Sequence, residues 1–141
     1  MTEPGGPPIV VDANILFSAL LRSDSRFAEI LLYRGHRFCI CESTFVELFH
    51  HKERILSYSR LNETEITALL HVFLSRLVVE REASIPAVYR QEAAALCRDV
   101  DPRDEPYVAL TLALDGRLWT GDQKLRKGLV ARGFDRFFDP E

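Results

Sequence analysis

Four short apolar runs, Ile9-Val10-Val11, Phe38-Cys39-Ile40-Cys41, Leu77-Val78-Val79 and Leu118-Trp119-Thr120, are spaced between longer segments whose apolar residues recur with a helical period. Runs this short and this rich in β-branched or aromatic residues suit strands. Being apolar throughout rather than alternating, they suit strands covered on both faces. Strands of that kind separated by helices make βαβ units around a parallel sheet, so the pattern predicts an α/β fold.

The helical segments follow the same logic. Asn14 to Leu21 continues through Phe27, Ile30 and Leu31 toward a stop at Gly35, giving strand, helix, helix. Further helices are expected from about Thr44 to Ile55, from Glu63 to Arg76 after a loop around Asn62, and from about Pro86 to Arg98. The stretch EPYVALTLAL carries Pro106 in its first turn and Gly116 just past its end, both favoured places. Gly121-Asp122 opens a last helix that closes near Gly133, and Phe137-Phe138 offers an edge strand.

At 141 residues and 47% hydrophobic content the chain suits one domain, residues 9–141, with residues 1–8 (MTEPGGPP) as a loose tail. A net charge of −3 argues against a general basic coat for nucleic acid, so any such site must be local. Cys39, Cys41 and Cys97 are odd in number and lack a framework spacing; Cys-x-Cys without a second pair is a weak zinc motif. Reduced thiols in a cytoplasmic protein fit them best. No leader pattern and no long apolar run points to secretion or to a membrane.

Four acids fall where a strand ends or a helix begins: Asp12, Glu47, Asp104 and Asp122. In a parallel sheet the crevice outside the carboxyl ends of the strands is where ligands bind, so Asp12 and Asp122 should face one mouth and Glu47 and Asp104 can converge on it. Carboxylates gathered in one cleft repel and raise their own pKa values unless a divalent cation holds them ionised, and oxygen-only ligands select Mg²⁺ or Mn²⁺. Each acid also has a plainer reading. Thr44-x-x-Glu47 has the form of a capping box, and Asp104 and Asp122 stand where N-cap residues stand. Asp12 directly after a buried strand is harder to explain that way, since a buried carboxylate needs a partner.

VVDANILFSALL, STFVELFHHK and DPRDEPYVALTLALDGRLWTGDQKL together resemble the PIN domain, a nuclease family of about this length, over nearly the whole chain from Ile9 to the last helix. Asp12-Ala13-Asn14 matches the family's first strand and acid. Ser43, Thr44 and Glu47 match its inward-facing helix. Asp104 precedes a Val-Ala-Leu-type helix, and Asp122 stands in Thr-Gly-Asp. The form DPxD…TGD is most similar to the VapC-like branch, the toxin components of toxin–antitoxin pairs. Two features depart from the pattern. Asp101 and Glu105 flank Asp104, leaving open which acids touch metal, and Pro106 replaces a more usual polar residue.

The resemblance implies a three-layer fold with four to five short parallel strands flanked by helices. It also implies hydrolysis of RNA phosphodiester bonds with Mg²⁺ or Mn²⁺. Asp12 and Asp122 are then expected as direct ligands, Asp104 as ligand or holder of a second ion, and Glu47 as ligand or orienter of the attacking water. Asn14, Ser43, Thr120 and Lys124 become candidates for substrate contact. An antitoxin protein and a homodimer are the implied partners. Arg22, Arg26, Lys52, Lys124, Arg126 and Lys127 lie near the expected mouth in sequence. His50 and His51 follow Glu47, but at helical spacing only one can share its face. Trp119 and Cys39 read as core.

Other classes fit less well. A receiver-like domain needs a second strand-end Asp near mid-chain and a Lys after a late strand, and neither is found. A haloacid-dehalogenase-type phosphatase wants Asp-x-Asp, where Asn14 stands instead. The remaining alternative is a catalytically weak PIN domain serving as an RNA-binding or protein-interaction module.

Overall fold

The structure is a computed structural model that describes residues 6–33 and 35–140. Strands β1 (Ile9–Val11), β2 (Phe38–Cys41), β3 (Leu77–Glu80) and β4 (Arg117–Trp119) form one sheet in the order β3-β2-β1-β4, every pair parallel. The expected third strand is therefore present, at one edge. Phe137 makes an isolated parallel bridge to Leu118, so the expected strand at Phe137-Phe138 is reduced to a single pairing. Residues 1–5 of the expected tail lie outside the described residues. Pro8 is not loose: its carbonyl accepts the Arg117 N–H at 2.9 Å.

Helices α1 (Ala13–Leu21), α2 (Arg26–Tyr33), α3 (Glu42–His50), α4 (Lys52–Tyr58) and α5 (Glu63–Arg76) precede β3. Helices α6 (Ala87–Cys97), α7 (Glu105–Ala113) and α8 (Gln123–Ala131) follow it. Alternate strand residues feed two cores. Ile9, Val11, Phe38, Ile40 and Trp119 belong to the core shared with α1, α2 and α5. Val10, Cys41 and Leu118 belong to the one shared with α6, α7 and α8. This two-sided burial is the three-layer arrangement the apolar strands require.

The helix expected from Thr44 to Ile55 is two helices. His51 departs from helical geometry at φ −99° and ψ 10°, and its N–H bonds back to the Glu47 and Leu48 carbonyls. The buried positions Thr44, Leu48 and Ile55 keep a helical period across the break, which is why periodicity alone hides it. The three cysteines are buried and free; burial pushes the Cys39 and Cys41 thiols to about 11 and Cys97 to about 12. They stay protonated core residues at neutral pH. Trp119 is core as well, packed among Phe27, Phe38 and Phe138.

Candidate active site

Because all four strands run parallel, their carboxyl ends lie on one side of the sheet, and the acids collect there. An open cleft of ≈ 580 Å³ is bordered by Glu47, Asp104 and Asp122, together with Asn14, Ser43, His50, His51, Asp101 and Arg103. Asp12 stands at the end of β1, 2% exposed, and its N–H is tied to the Trp119 carbonyl at 3.0 Å.

Each acid is held by its own element. Asp12 is the N-cap of α1. One carboxylate oxygen accepts the Asn14 N–H at 3.3 Å and the other accepts the Thr120 hydroxyl at 2.7 Å. Thr120 is buried and spends its hydroxyl on Asp12, and its Oγ1 also accepts the Asp122 N–H at 3.1 Å. Asp122 is a true N-cap of α8, accepting the Leu125 N–H at 3.1 Å. Asp104 occupies the N-cap position of α7 without making a side-chain cap, so its carboxylate is not consumed by the helix. The capping-box reading of Glu47 fails. Helix α3 begins at Glu42 behind Cys41, which leaves Thr44 and Glu47 inside the helix. Glu47 instead accepts the hydroxyl of the buried Tyr107 at 3.0 Å.

The electrostatics match the crowding. Asp104 is raised from 3.8 to about 7, first by burial and then by Asp12, Asp101, Glu47 and Asp122. Burial likewise raises Asp12, against the lowering effect of Thr120, and raises Glu47, with Asp12 adding to it. The oxygen-only donor set fits a hard divalent ion, and a cation would relieve the repulsion that raises Asp104. Among the described residues no three such side chains stand close enough to hold an ion as they lie. Asp12, Asp122 and Glu47 are turned to the donors just named, while the Asp104 carboxylate makes no cap.

Of the other expected contacts, Asn14 and Ser43 border the cleft, and Ser43 donates to Glu82 at 2.6 Å. Lys124 does not border the cleft, although its charge helps to hold the Asp101 carboxyl below its usual range, after the larger effect of Arg103. The basic groups chosen by sequence proximity are placed otherwise. Arg22 pairs with Asp24, Arg26 donates to the Pro140 carbonyl, Arg126 pairs with Asp139, and Lys52 lines an apolar groove elsewhere. Among the described residues the Lys or Arg at the cleft is Arg103, between Asp101 and Asp104, which sequence proximity to the strand ends passed over. Tyr107 was missed as well, because a tyrosine inside an apolar helix reads as core. Both His50 and His51 border the cleft, against the expectation of one; α3 ends between them, so helical spacing does not separate them.

The PIN domain family profile matches residues 10–137. The fold is similar to the crystal structure of VapBC2 from Rickettsia felis bound to a DNA fragment from their promoter, with TM-score 0.62 and 20% identity over 85% of this chain and 92% of that one. Nothing matches among curated proteins. The structural likeness carries the fold. The profile match, running from β1 to the bridge beside β4, carries the membership: this chain belongs to the PIN domain family.

Proposed function

We propose that this chain is a ribonuclease that hydrolyses RNA phosphodiester bonds in the acidic cleft with Mg²⁺ or Mn²⁺, and that it acts as the toxin of a toxin–antitoxin pair. PIN domains are nucleases as a family, which supports the reaction class. The observation that supports the reading is geometric: Glu47, Asp104 and Asp122 border one cleft at the carboxyl ends of the strands, with Asp12 beside them at the end of β1. Asp104 is raised to about 7 there, first by burial and then by these neighbouring acids.

Asp12, Asp104 and Asp122 are the residues that would hold the ion, with Glu47 as a further ligand or as the group that orients water. A bound divalent ion lowers the pKa of water and neutralises charge developing on the phosphate oxygens. The protein's part is positioning. Thr120 and the Asn14 N–H fix the Asp12 carboxylate. Tyr107 fixes Glu47 by Oε1, leaving Oε2 to accept a hydrogen bond from water or to take its proton. Asn14 and Ser43 remain candidates for substrate contact at the rim.

An antitoxin partner is supported by the likeness to the VapBC2 complex and by an apolar groove of ≈ 480 Å³ lined by Leu20, Phe45, Val46, Phe49 and Ile55. Phe49 is 78% exposed and Val46 is 56% exposed there. A homodimer is a second assembly open to the same surface. No helix among the described residues is long and apolar enough to cross a membrane, and a cytoplasmic site of action is part of the proposal.

The test is cleavage of single-stranded RNA by purified protein. Cutting should require Mg²⁺ or Mn²⁺, stop with EDTA, and fall at least ~100-fold in Asp12→Asn. Asn preserves the cap on α1, so the variant should fold. Metal-independent cutting would overturn the proposal. Retained partner binding without cutting would favour the interaction-module alternative.

A further inference from the structure

Arg103 lines two depressions at once. One is the acidic cleft. The other is a pocket of ≈ 260 Å³ lined by Ile85, Pro102 and Pro106, with Arg90 and Glu105 beside them. The Arg103 side chain is 87% exposed and pairs with a single carboxylate: its Nε and Nη2 donate to the two Asp101 oxygens at 3.2 and 3.1 Å, and the Arg103 backbone N–H also donates to Asp101 Oδ1 at 3.0 Å. A guanidinium has five N–H donors, and this fork uses two. Among the described residues nothing takes the Nη1 donors, so an outer edge is left available on a cation paired with Asp101.

An RNA strand entering this cleft meets Glu47, Asp101, Asp104 and Asp122 along its border. Its flanking phosphates are repelled by any carboxylate the ion does not neutralise. Arg103 is the only Lys or Arg among the described residues that borders the cleft, and a planar guanidinium edge matches phosphate oxygens in pairs. The smaller pocket suits the neighbouring unit of the strand. Its apolar residues Ile85, Pro102 and Pro106 offer a surface to a base, and the Glu82 and Glu105 carboxylates offset the charges of Arg90 and Arg103 on the same lining.

We propose that Arg103 seats an RNA phosphate at the rim of the cleft through its outer guanidinium edge, that the pocket shared with Arg90 takes the adjoining nucleoside, and that Asp101 positions the guanidinium rather than binding metal. This rests on the nuclease reading above.

Kinetics on a labelled single-stranded RNA oligonucleotide with Mn²⁺ test it. Arg103→Ala should raise KM about 10- to 100-fold with kcat changed much less, as expected for loss of a charge-assisted contact. Arg103→Lys should recover part of the loss, having charge without the fork. Asp101→Asn should also raise KM, and the double variant should be no worse than Arg103→Ala. In an Asp12→Asn background, anisotropy with the same oligonucleotide should show Arg103→Ala reducing the slope of log Kd against log salt by about 0.7, one phosphate's worth for a single strand. An abasic site on one flank of the cut should raise KM, and on the other flank should not.

An unchanged KM in Arg103→Ala, multiplicative effects of Asp101→Asn and Arg103→Ala, or no abasic effect on either flank overturns the subsite. A protein that cuts RNA with KM unmoved in Arg103→Ala loses the subsite and keeps the nuclease reading. One that binds RNA through Arg103 without cutting keeps the subsite and loses the nuclease reading. Absence of any RNA binding removes both.

Discussion

Tyr107 is buried completely, yet its hydroxyl holds the one site acid that comes from the middle of a helix. Replacing it with Phe removes that donor together with the contact of the same hydroxyl with the buried Thr44. Tyr107→Phe is expected to lower kcat roughly tenfold while shifting stability by about 1 kcal/mol, the usual range for one hydrogen bond; steady-state kinetics beside chemical denaturation measures both. Glu47→Gln keeps an acceptor for Tyr107, so its stability should hold while its activity collapses. Asp104 makes a different statement. Its folded value of about 7 lies above the ordinary 3.8, chiefly through burial, so between those values the native state binds more protons than the unfolded chain. Stability without metal must then fall as pH rises from about 4 toward 7, and level off above that. The upward shifts of Asp12 and Glu47 act in the same sense. Thermal melts in EDTA at several pH values should show this slope, and Asp104→Asn should flatten it. The same protonation opposes metal binding, so the metal-induced rise in Tm should be larger at pH 8 than at pH 6.

Elements of this chain were legible wherever the apolar period and the end signals agreed. The buried strands β1 and β2 cannot hide their composition, β3 was found from its β-branched run although Val78 and Val79 are half exposed at the sheet edge, and α5 begins where Asn62 and Glu65 close a capping box with bonds of 2.9 and 2.8 Å. Asn62→Ala should cost about 1 kcal/mol in urea denaturation. The break at His51 was not legible, because buried positions on both sides of it keep one period. All four candidate acids were singled out as strand-end or helix-start residues, although Glu47 lies inside α3 and not at its start. Arg103 and Tyr107 were not, since what distinguishes them is the neighbour across space and not the neighbour in sequence. Gly116 shows the same kind of constraint at an element's edge. A Cβ there would stand 2.5 Å from the Pro8 carbonyl oxygen, the same oxygen that accepts the Arg117 N–H. Gly116→Ala should therefore push β4 from the chain leading into β1 and destabilise by roughly 1–3 kcal/mol, the range for overpacking.

Over the whole molecule, the site depends on charges that the unfolded chain keeps apart and the fold brings together. An ion that binds only the folded cleft stabilises by mass action, about 2.7 kcal/mol at a hundred times its dissociation constant. Asp122→Asn is the informative variant because Asn caps α8 equally well. With EDTA its Tm should equal or exceed that of wild type, and with millimolar Mn²⁺ its gain should be smaller; an equal gain in both proteins would sink the four-carboxylate site. The bond between Thr120 and Asp12 spans 108 residues, and each pair of the β1–β4 ladder beside it spans the same number. A chain still emerging from the ribosome thus has its first acid from the start and lacks the hydroxyl that orients it, and the fourth acid, until nearly the last stretch is synthesised. Under the nuclease reading proposed above, a growing chain that has not yet reached Thr120 and Asp122 cannot assemble the cleft and should not cut RNA.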